Sequence, residues 1–337
     1  MKRIVTIQDI SCVGKCSLTV ALPIISAMGV EAAILPTAVL STHTMFSRFT
    51  CKDLTDQVKP IADHWKEENF KFDAVYTGYL GSFEQIDLMK DFFDQFNTAD
   101  NLLFVDPAMA DNGKLYPAFD EAFAKHMATL CAKADIIVPN ITDACFMTGM
   151  EYKTEYDEAY VKELLNRLCD LGAKISILTG VSFAEGKTGV MGYDKKKDEF
   201  AYYEHDKLPV SFHGTGDIFS STCVGAMMNG MNWKEAVKVA ADYTAECIKL
   251  TLEDPSKPWY GVNFEQAIPY LEERIKKYIL EIVKPCTLCA GLFYIHLLKQ
   301  LRRIISISAV WKKYHNRFAF GLWTFCDLDC CCKSRAR

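Results

Sequence analysis

The feature that most constrains this chain is a repeated alternation of short apolar runs with helical patterns. Residues 4–7, 33–39, 74–77, 102–105, 136–138 and 175–179 are apolar runs of strand length. Between them, apolar residues recur at helical spacing: Leu18, Ala21, Leu22 and Ile25, then Leu88, Phe92, Phe93 and Phe96, then Val161, Leu164, Leu165 and Leu168. Strand, helix, strand repeated this often predicts a mostly parallel central sheet covered by helices on both faces. After Thr179 the pattern changes. Residues 188–193 and 199–204, joined by the charged turn 194–198, predict a hairpin at the sheet edge, and helices are predicted over 215–228, 233–252 and 264–279. No internal repeat is evident.

Open parallel sheets bind ligands beyond the carboxyl ends of their strands. The polar residues that follow the strand runs are therefore the candidates: Asp9 and Ser11, residues 41–44, 78–82, 106–111 and 140–143, and Thr179 with Gly180.

The segment His213, Gly214, Thr215, Gly216, Asp217 stands directly before an amphipathic helix. Two glycines let the backbone turn tightly and converge several N–H groups, and the helix start adds unpaired donors and a positive dipole, which makes an anion hole. A carboxylate at Asp217, beside a bound phosphate, would be repelled unless it had a proton to accept, and a substrate hydroxyl supplies one. The competing reading is that Asp217 caps the helix while the glycines close a loop. Asp106 and Asp111, after the fourth run, can help order a hydrated Mg²⁺ ion, but a surface turn rich in Asp, Asn and Gly explains them equally well. Asp143, after the fifth run, can reach the same ion through water, with Thr142 as a plain helix N-cap in the alternative reading.

Taken together, the turn Gly214 to Asp217, the run Asp106-Pro107-Ala108-Met109, the spacing Asn140-x-x-Asp143 and the early Gln8-Asp9-Ile10-Ser11 resemble, in order and spacing, the ribokinase-like superfamily. Residues 36–44, 76–82 and 112–116 resemble its pyridoxal/pyridoxamine kinase branch. The resemblance covers about residues 1–281. It implies a ribokinase-like three-layer sandwich with a mostly parallel central sheet, and ATP-dependent phosphorylation of the 5′-hydroxymethyl group of a vitamin B6 vitamer. By position it implies that Asp217 is the general base and that Gly214, Thr215 and Gly216 cradle the transferring phosphoryl group. Asp106, Asp143 and Thr179 would contact ATP, with Asp106 and Asp143 beside Mg²⁺. Asp9, Ser11, His43, Thr44 and Met45 would line the vitamer pocket, His43 either stacking or hydrogen-bonding to the ring or serving as a satisfied structural residue. A monovalent cation is a further candidate cofactor, and a homodimer is implied. The rivals are a hydroxymethylpyrimidine or sugar kinase of the same superfamily and, from another class, a non-catalytic vitamer-binding protein.

Three departures from the family pattern stand out. Ala110 replaces a usual glycine and would strain its loop by about 1 kcal/mol if that position required positive φ. Asp143 stands where Glu is usual, one methylene shorter, which a bridging water can make up. Cys12 stands where relatives often have Gly and would narrow the substrate pocket.

Charge and cysteine usage divide the chain near residue 281. Residues 282–337 carry ten Lys and Arg against two Asp, a net of +8, while the remainder carries 28 basic and 41 acidic residues, a net of −13. Six of the fourteen cysteines lie in that last part: Cys286, Cys289, Cys326, Cys330, Cys331 and Cys332. Cys286-x-x-Cys289 and the later cluster could together supply four thiolates to zinc, but the second group lacks regular spacing, so the expectation is an atypical basic, Cys-rich tail dispensable for catalysis. The earlier cysteines Cys12, Cys16, Cys131, Cys145, Cys169, Cys223 and Cys247 read as reduced thiols, several buried as small hydrophobes. The first ten residues lack the apolar core of a signal peptide, and no apolar run reaches the roughly 20 residues of a membrane span. A cytoplasmic protein with no membrane and no nucleic-acid partner is expected.

Overall fold

The computed structural model describes residues 1–210 and 212–281. The tail expectation and its six cysteines fall outside these residues. The chain divides into a compact unit, Met1–Lys276, and a second, Lys277–Arg337, and the architecture below belongs to the first.

Strands β1 (Arg3–Val13), β2 (Glu31–Thr42), β3 (Cys51–Asp53), β4 (Ala74–Thr77), β5 (Leu102–Val105), β8 (Ile136–Ile137), β9 (Ile175–Val181), β10 (Lys187–Asp194) and β11 (Glu199–Asp206) form one sheet. Its order is β11-β10-β9-β8-β5-β4-β1-β2-β3. The six strands from β9 to β2 run parallel; β3 at one edge and the β10–β11 hairpin at the other are antiparallel. A separate two-stranded hairpin, β6 (Ala110–Asp111) with β7 (Lys114–Leu115), projects after β5. The predicted α/β sandwich and edge hairpin are therefore present. All six predicted strand runs are strands, and the helices predicted over 215–228 and 233–252 appear as α7 (Thr215–Met228) and α8 (Trp233–Glu253), with a further helical run beginning at Phe264.

The two faces follow from chain direction. After β1 the chain crosses to β2 through α1 (Leu18–Ala27), which packs on α7, itself packed on α8. From β2 onward it winds the other way through α2 (Thr55–Glu67), α3 (Phe83–Phe96), α4 (Glu121–Cys131), α5 (Ile141–Thr148) and α6 (Glu158–Asp170), whose inward residues Val58, Phe92, Phe93, Phe123, Met127, Leu164 and Leu165 share one core with Val5, Val75 and Leu103 of the sheet. The strand order thus reverses at β1 and β4, and the crevice of such a sheet opens at the carboxyl ends beside that reversal.

Helix starts are treated in two ways. Ser82, Asp120, Asn140, Asp157 and Asn232 each accept a first-turn N–H with the side chain, capping α3, α4, α5, α6 and α8. Thr142 is thus not the cap of α5; Asn140 is, in a reciprocal capping box with Asp143. By contrast α1, α2 and α7 have no side-chain cap, and of these the starts of α1 and α7 meet at the crevice. Their first N–H groups are left for something else.

Candidate active site

Gly214 opens α7 in the left-handed region, φ 83, ψ 0. A Cβ there would lie 1.7 Å from the Lys15 carbonyl oxygen, so the turn both needs glycine's conformation and lies directly against the loop that leads into α1. Gly216 is different: its φ is not positive and a Cβ would meet nothing within 4 Å. The fold explains the first glycine and gives no reason for the second. The Thr215 hydroxyl donates to the Phe212 carbonyl at 3.2 Å, tightening the turn.

Asp217 lies in the first turn of α7, half-buried in the crevice. Desolvation, reinforced by the charge of Asp106, pushes its carboxyl up to about 8, against which the backbone N–H of Ser17 acts as a donor. Asp106 follows β5, is buried, and is pushed up to about 6 by desolvation, partly offset by the Ser220 hydroxyl, which donates to Oδ2 at 2.7 Å. Ser220 sits one turn beyond Asp217 on the same helix, so one helix face presents both the carboxylate and the group that orients its acidic neighbour.

Asp143 is 1% exposed, and both of its oxygens face backbone donors: Oδ1 accepts from the N–H groups of Met109 (3.2 Å) and Ala110 (2.8 Å), and Oδ2 from that of Asn140 (3.2 Å). Burial still places it well above the ordinary carboxylate range. Asn140 completes the link by donating from Nδ2 to the Ala110 carbonyl at 2.7 Å. Asp143 therefore ties the start of α5 to the loop after β5. That loop is unstrained at Ala110, which is fully buried and not among the positive-φ residues, so the conditional strain does not arise. Positive φ falls instead on Asn112 and Gly113, the central pair of the β6–β7 turn, where Asp111 accepts from the Asn112 backbone N–H and side chain. For Asp111 the surface-turn reading is the one the geometry matches.

Asp9, near the end of β1, is 6% exposed, accepting from Ser17 Oγ at 2.6 Å and Ser11 Oγ at 3.0 Å, and burial raises its carboxyl. Ser11 is buried with it. His43 is 2% exposed and uses both ring nitrogens, Nε2 facing the Tyr260 carbonyl at 3.0 Å and Nδ1 accepting from the Met45 N–H at 3.2 Å. Its ring packs among Phe46, His213, Trp259 and Tyr260. Of the alternatives for His43, that of a satisfied structural residue fits these contacts. Thr44 and Met45 are exposed beside it, and Cys12 is exposed on β1. The other six core-region cysteines named above, Cys16, Cys131, Cys145, Cys169, Cys223 and Cys247, are buried thiols. Thr179, half-buried on β9, donates its N–H to the Pro139 carbonyl and pairs with Asn140.

Sequence reading missed Lys15, Ser17 and Ser220. Lys15 pairs with Glu265, its ammonium lies over the Phe264 ring, and a Cβ on Gly261 would strike its side chain. No local pattern announces these contacts, which join residues far apart in the chain. Among the described residues no group of three or more His, Cys, Asp or Glu is arranged to hold a metal. Asp106, with Oδ1 uncommitted among the hydrogen bonds of the site, fits a Mg²⁺ ion held mainly by phosphate and water.

An uncapped glycine turn, a carboxylate with raised affinity for its proton and a second acidic strand end are the parts that a phosphotransferase site needs, here on a ribokinase-like fold. The model of the phosphomethylpyrimidine kinase family matches residues 21–258, and the chain belongs to that family. It is similar to a putative phosphomethylpyrimidine kinase from Bacteroides thetaiotaomicron, solved in one form with pyridoxal, at 37% identity and TM-score 0.77, over 80% of this chain and 96% of that one. It also resembles the pyridoxal kinase of Lactobacillus plantarum at 27% identity and TM-score 0.74, over 80% and 96%. Pyridoxal kinase from Granulibacter bethesdensis is 26% identical over 74% of this chain and 90% of its own length.

Proposed function

We propose that this chain is a pyridoxal kinase, transferring the γ-phosphoryl group of ATP to the 5′-hydroxymethyl group of a B6 vitamer. The observation that carries the reading is the placement of Asp217 in the open first turn of α7, with its carboxyl pushed up to about 8 beside Asp106. A carboxylate with that proton affinity is matched to removing a hydroxyl proton near neutral pH. The named similarity to pyridoxal kinases, and to a family member solved with pyridoxal, selects the vitamer over a sugar.

In this reading the N–H groups of Gly214, Thr215 and Gly216 receive the transferring phosphoryl group, and Gly216 keeps the approach clear of side chains. Asp217 takes the hydroxyl proton as the oxygen attacks phosphorus and the bond to the ADP oxygen breaks. Asp106 would hold Mg²⁺ with its uncommitted oxygen, and Asp143, which fixes the 109–110 loop, would lie beside the ion. Bound Mg²⁺ would neutralise phosphate charge. Thr179 lies at the nucleotide end, while Asp9, Ser11, Thr44 and Met45 frame the vitamer end, with His43 holding the wall behind them. A cytoplasmic homodimer, the dimer on the strength of the resemblance, and a tail dispensable for turnover complete the reading; assay after truncation at residue 281 tests the tail, and sedimentation of the full chain tests the dimer.

The deciding experiment is a substrate panel of pyridoxal, pyridoxamine, pyridoxine, hydroxymethylpyrimidine and ribose with ATP and Mg²⁺, run beside Asp217→Asn. Turnover of B6 vitamers falling about 10²–10⁴-fold in the variant is expected. Vitamer binding without ATP consumption by the native chain would replace this reading with a binding protein, and preference for hydroxymethylpyrimidine would move the acceptor.

A further inference from the structure

The layer between the sheet and α7, beneath the crevice, holds polar atoms that the site does not use. Val5, Ile7, Val75 and Val105 point into the core shared with α2 to α6. Strand alternation therefore turns Thr6, Gln8, Tyr76 and Asp106 to the opposite face, the one that α1 and α7 cover. The register sets Tyr76 between Thr6 and Phe104, its ring edge-to-face with that of Phe104 at 5.5 Å. One row nearer the carboxyl ends, Gly78 lies between Gln8 and Asp106. A Cβ on Gly78 would fall 2.8 Å from Gln8 Oε1, so the Gln8 amide lies over that glycine. On α7, Asp217, Ser220, Ser221 and Val224 succeed one another at helical spacing; the helix packs against β4, and Ser220 reaches Asp106. Gln8 Oε1, Tyr76 Oη and Ser221 Oγ are fully buried and have no hydrogen-bond partner among the described residues. The other end of the Gln8 amide is satisfied, Nε2 donating to Thr6 Oγ1 at 3.0 Å. Burial, then the charges of Asp106 and Asp217, hold the Tyr76 hydroxyl far above its ordinary range, and Ser221 and Gln8 are the neighbours that oppose them.

Buried polar atoms without a protein partner are, as a rule, bonded to an internal water. Two hydroxyls and one amide oxygen meet a water's needs: it accepts from Tyr76 and Ser221 and donates to Gln8 Oε1. We propose that Gln8, Tyr76 and Ser221 hold one internal water molecule between the sheet and α7, and that this water fixes the helical turn carrying Asp217 and Ser220, which makes Tyr76 a positioning residue for phosphoryl transfer. The catalytic part of the proposal rests on Asp217 being the general base. Ser220 ties α7 directly to the end of β5. The water adds a tie to β1 and β4 one residue further on, a single helical turn from Asp217, so the carboxylate and the glycine turn before it keep their place over the strand ends.

The test uses Tyr76→Phe, which keeps the ring and removes the hydroxyl, and Ser221→Ala, which removes the second donor. A high-resolution crystal structure of the native chain shows one ordered water within hydrogen-bond distance of Tyr76 Oη, Ser221 Oγ and Gln8 Oε1, and the double variant loses it. Each single variant lowers the thermal midpoint by about 2–4 °C, because the remaining groups are left short of a partner. The double variant lowers it by less than the sum, since both hydroxyls act through one molecule. In each, kcat falls about 3- to 10-fold while KM for pyridoxal stays within about 2-fold, as expected when a reacting group is misaligned rather than a ligand lost. Direct bonding of Tyr76 to Ser221 with no water between them, a midpoint raised by Tyr76→Phe through relief of an unpaired hydroxyl, or native kcat in both variants would each overturn the proposal. The water and the midpoints are read without turnover, so failure of the Asp217 reading shows separately, as native turnover in Asp217→Asn.

Discussion

Ser220 donates from its hydroxyl to Oδ2 of Asp106 at 2.7 Å, joining α7 to a strand end 114 residues earlier. Both are buried, so the bond is a charge-assisted one in low dielectric. Ser220→Ala leaves the buried carboxylate without this donor and should cost about 1–3 kcal/mol of stability. It should also raise the affinity of Asp106 for its proton, so that KM for Mg-ATP rises several-fold and rises most below pH 7, with KM for the vitamer nearly unchanged. Steady-state kinetics across pH with each substrate varied will show whether the two constants separate in this way.

Asp217 should carry a stability cost that depends on pH. Its carboxyl sits at about 8 in the folded chain against an ordinary 3.8, so between those values the folded state binds the proton more tightly than the unfolded one. The group's contribution is therefore full below about pH 4 and declines as pH rises through 8. Asn cannot ionise, so Asp217→Asn should match the native thermal midpoint near pH 4 and exceed it at pH 9. Water in the crevice reaches the half-buried side chain, which limits the gain to about 1 kcal/mol, or roughly 2–4 °C for a domain of this size. Equal midpoints at pH 9 would show an ordinary carboxylate. Asp106, at about 6, titrates in both proteins, and because its charge raises Asp217 the difference reads the coupled pair.

The two glycines of the turn should respond oppositely to alanine. Gly214→Ala meets the Lys15 carbonyl and positive φ together, and should destabilise the chain by about 2 kcal/mol or more. Gly216→Ala has open space and ordinary φ, so its midpoint should stay within about 0.5 kcal/mol of native. Its turnover should nevertheless fall about 10²-fold, because the methyl group enters the volume reserved for phosphate. Native turnover in Gly216→Ala would remove the phosphate cradle from the site.

Much of the architecture was legible because the strand runs and helical stripes carry periodicity. The short edge strand β3 was not: all three of its residues are exposed, so burial stamped no pattern on it. The β6–β7 hairpin has a readable signal in Asn112-Gly113, the pair favoured where both central residues take positive φ. Among candidate site residues, the strand-end rule brought Asp9, Asp106, Asn140 and Thr179 into view. It could not tell that Asp143 satisfies backbone donors with both oxygens, nor that Ser17 abandons its cap for Asp9. Those facts depend on which distant groups the fold brings within reach, and sequence spacing does not encode them.

Ala110 offers a sharp check on that difference. The family pattern has glycine here, and restoring it would relieve strain if the loop required positive φ. The residue instead has ordinary φ, is fully buried, donates its N–H to Asp143 and accepts from Asn140 through its carbonyl. Its methyl group is part of the packing between β6 and α5. Ala110→Gly should therefore destabilise, by about 0.5–1 kcal/mol from added backbone freedom in the unfolded chain and by about 0.8 kcal/mol from the lost buried methyl. Because the same peptide carries the Asp143 contact, a looser loop should also raise KM for Mg-ATP while leaving the vitamer constant unchanged. Thermal denaturation will decide the sign: a higher midpoint in Ala110→Gly would mean that the loop is strained at Ala110 after all, and that Asp143 holds it against that strain.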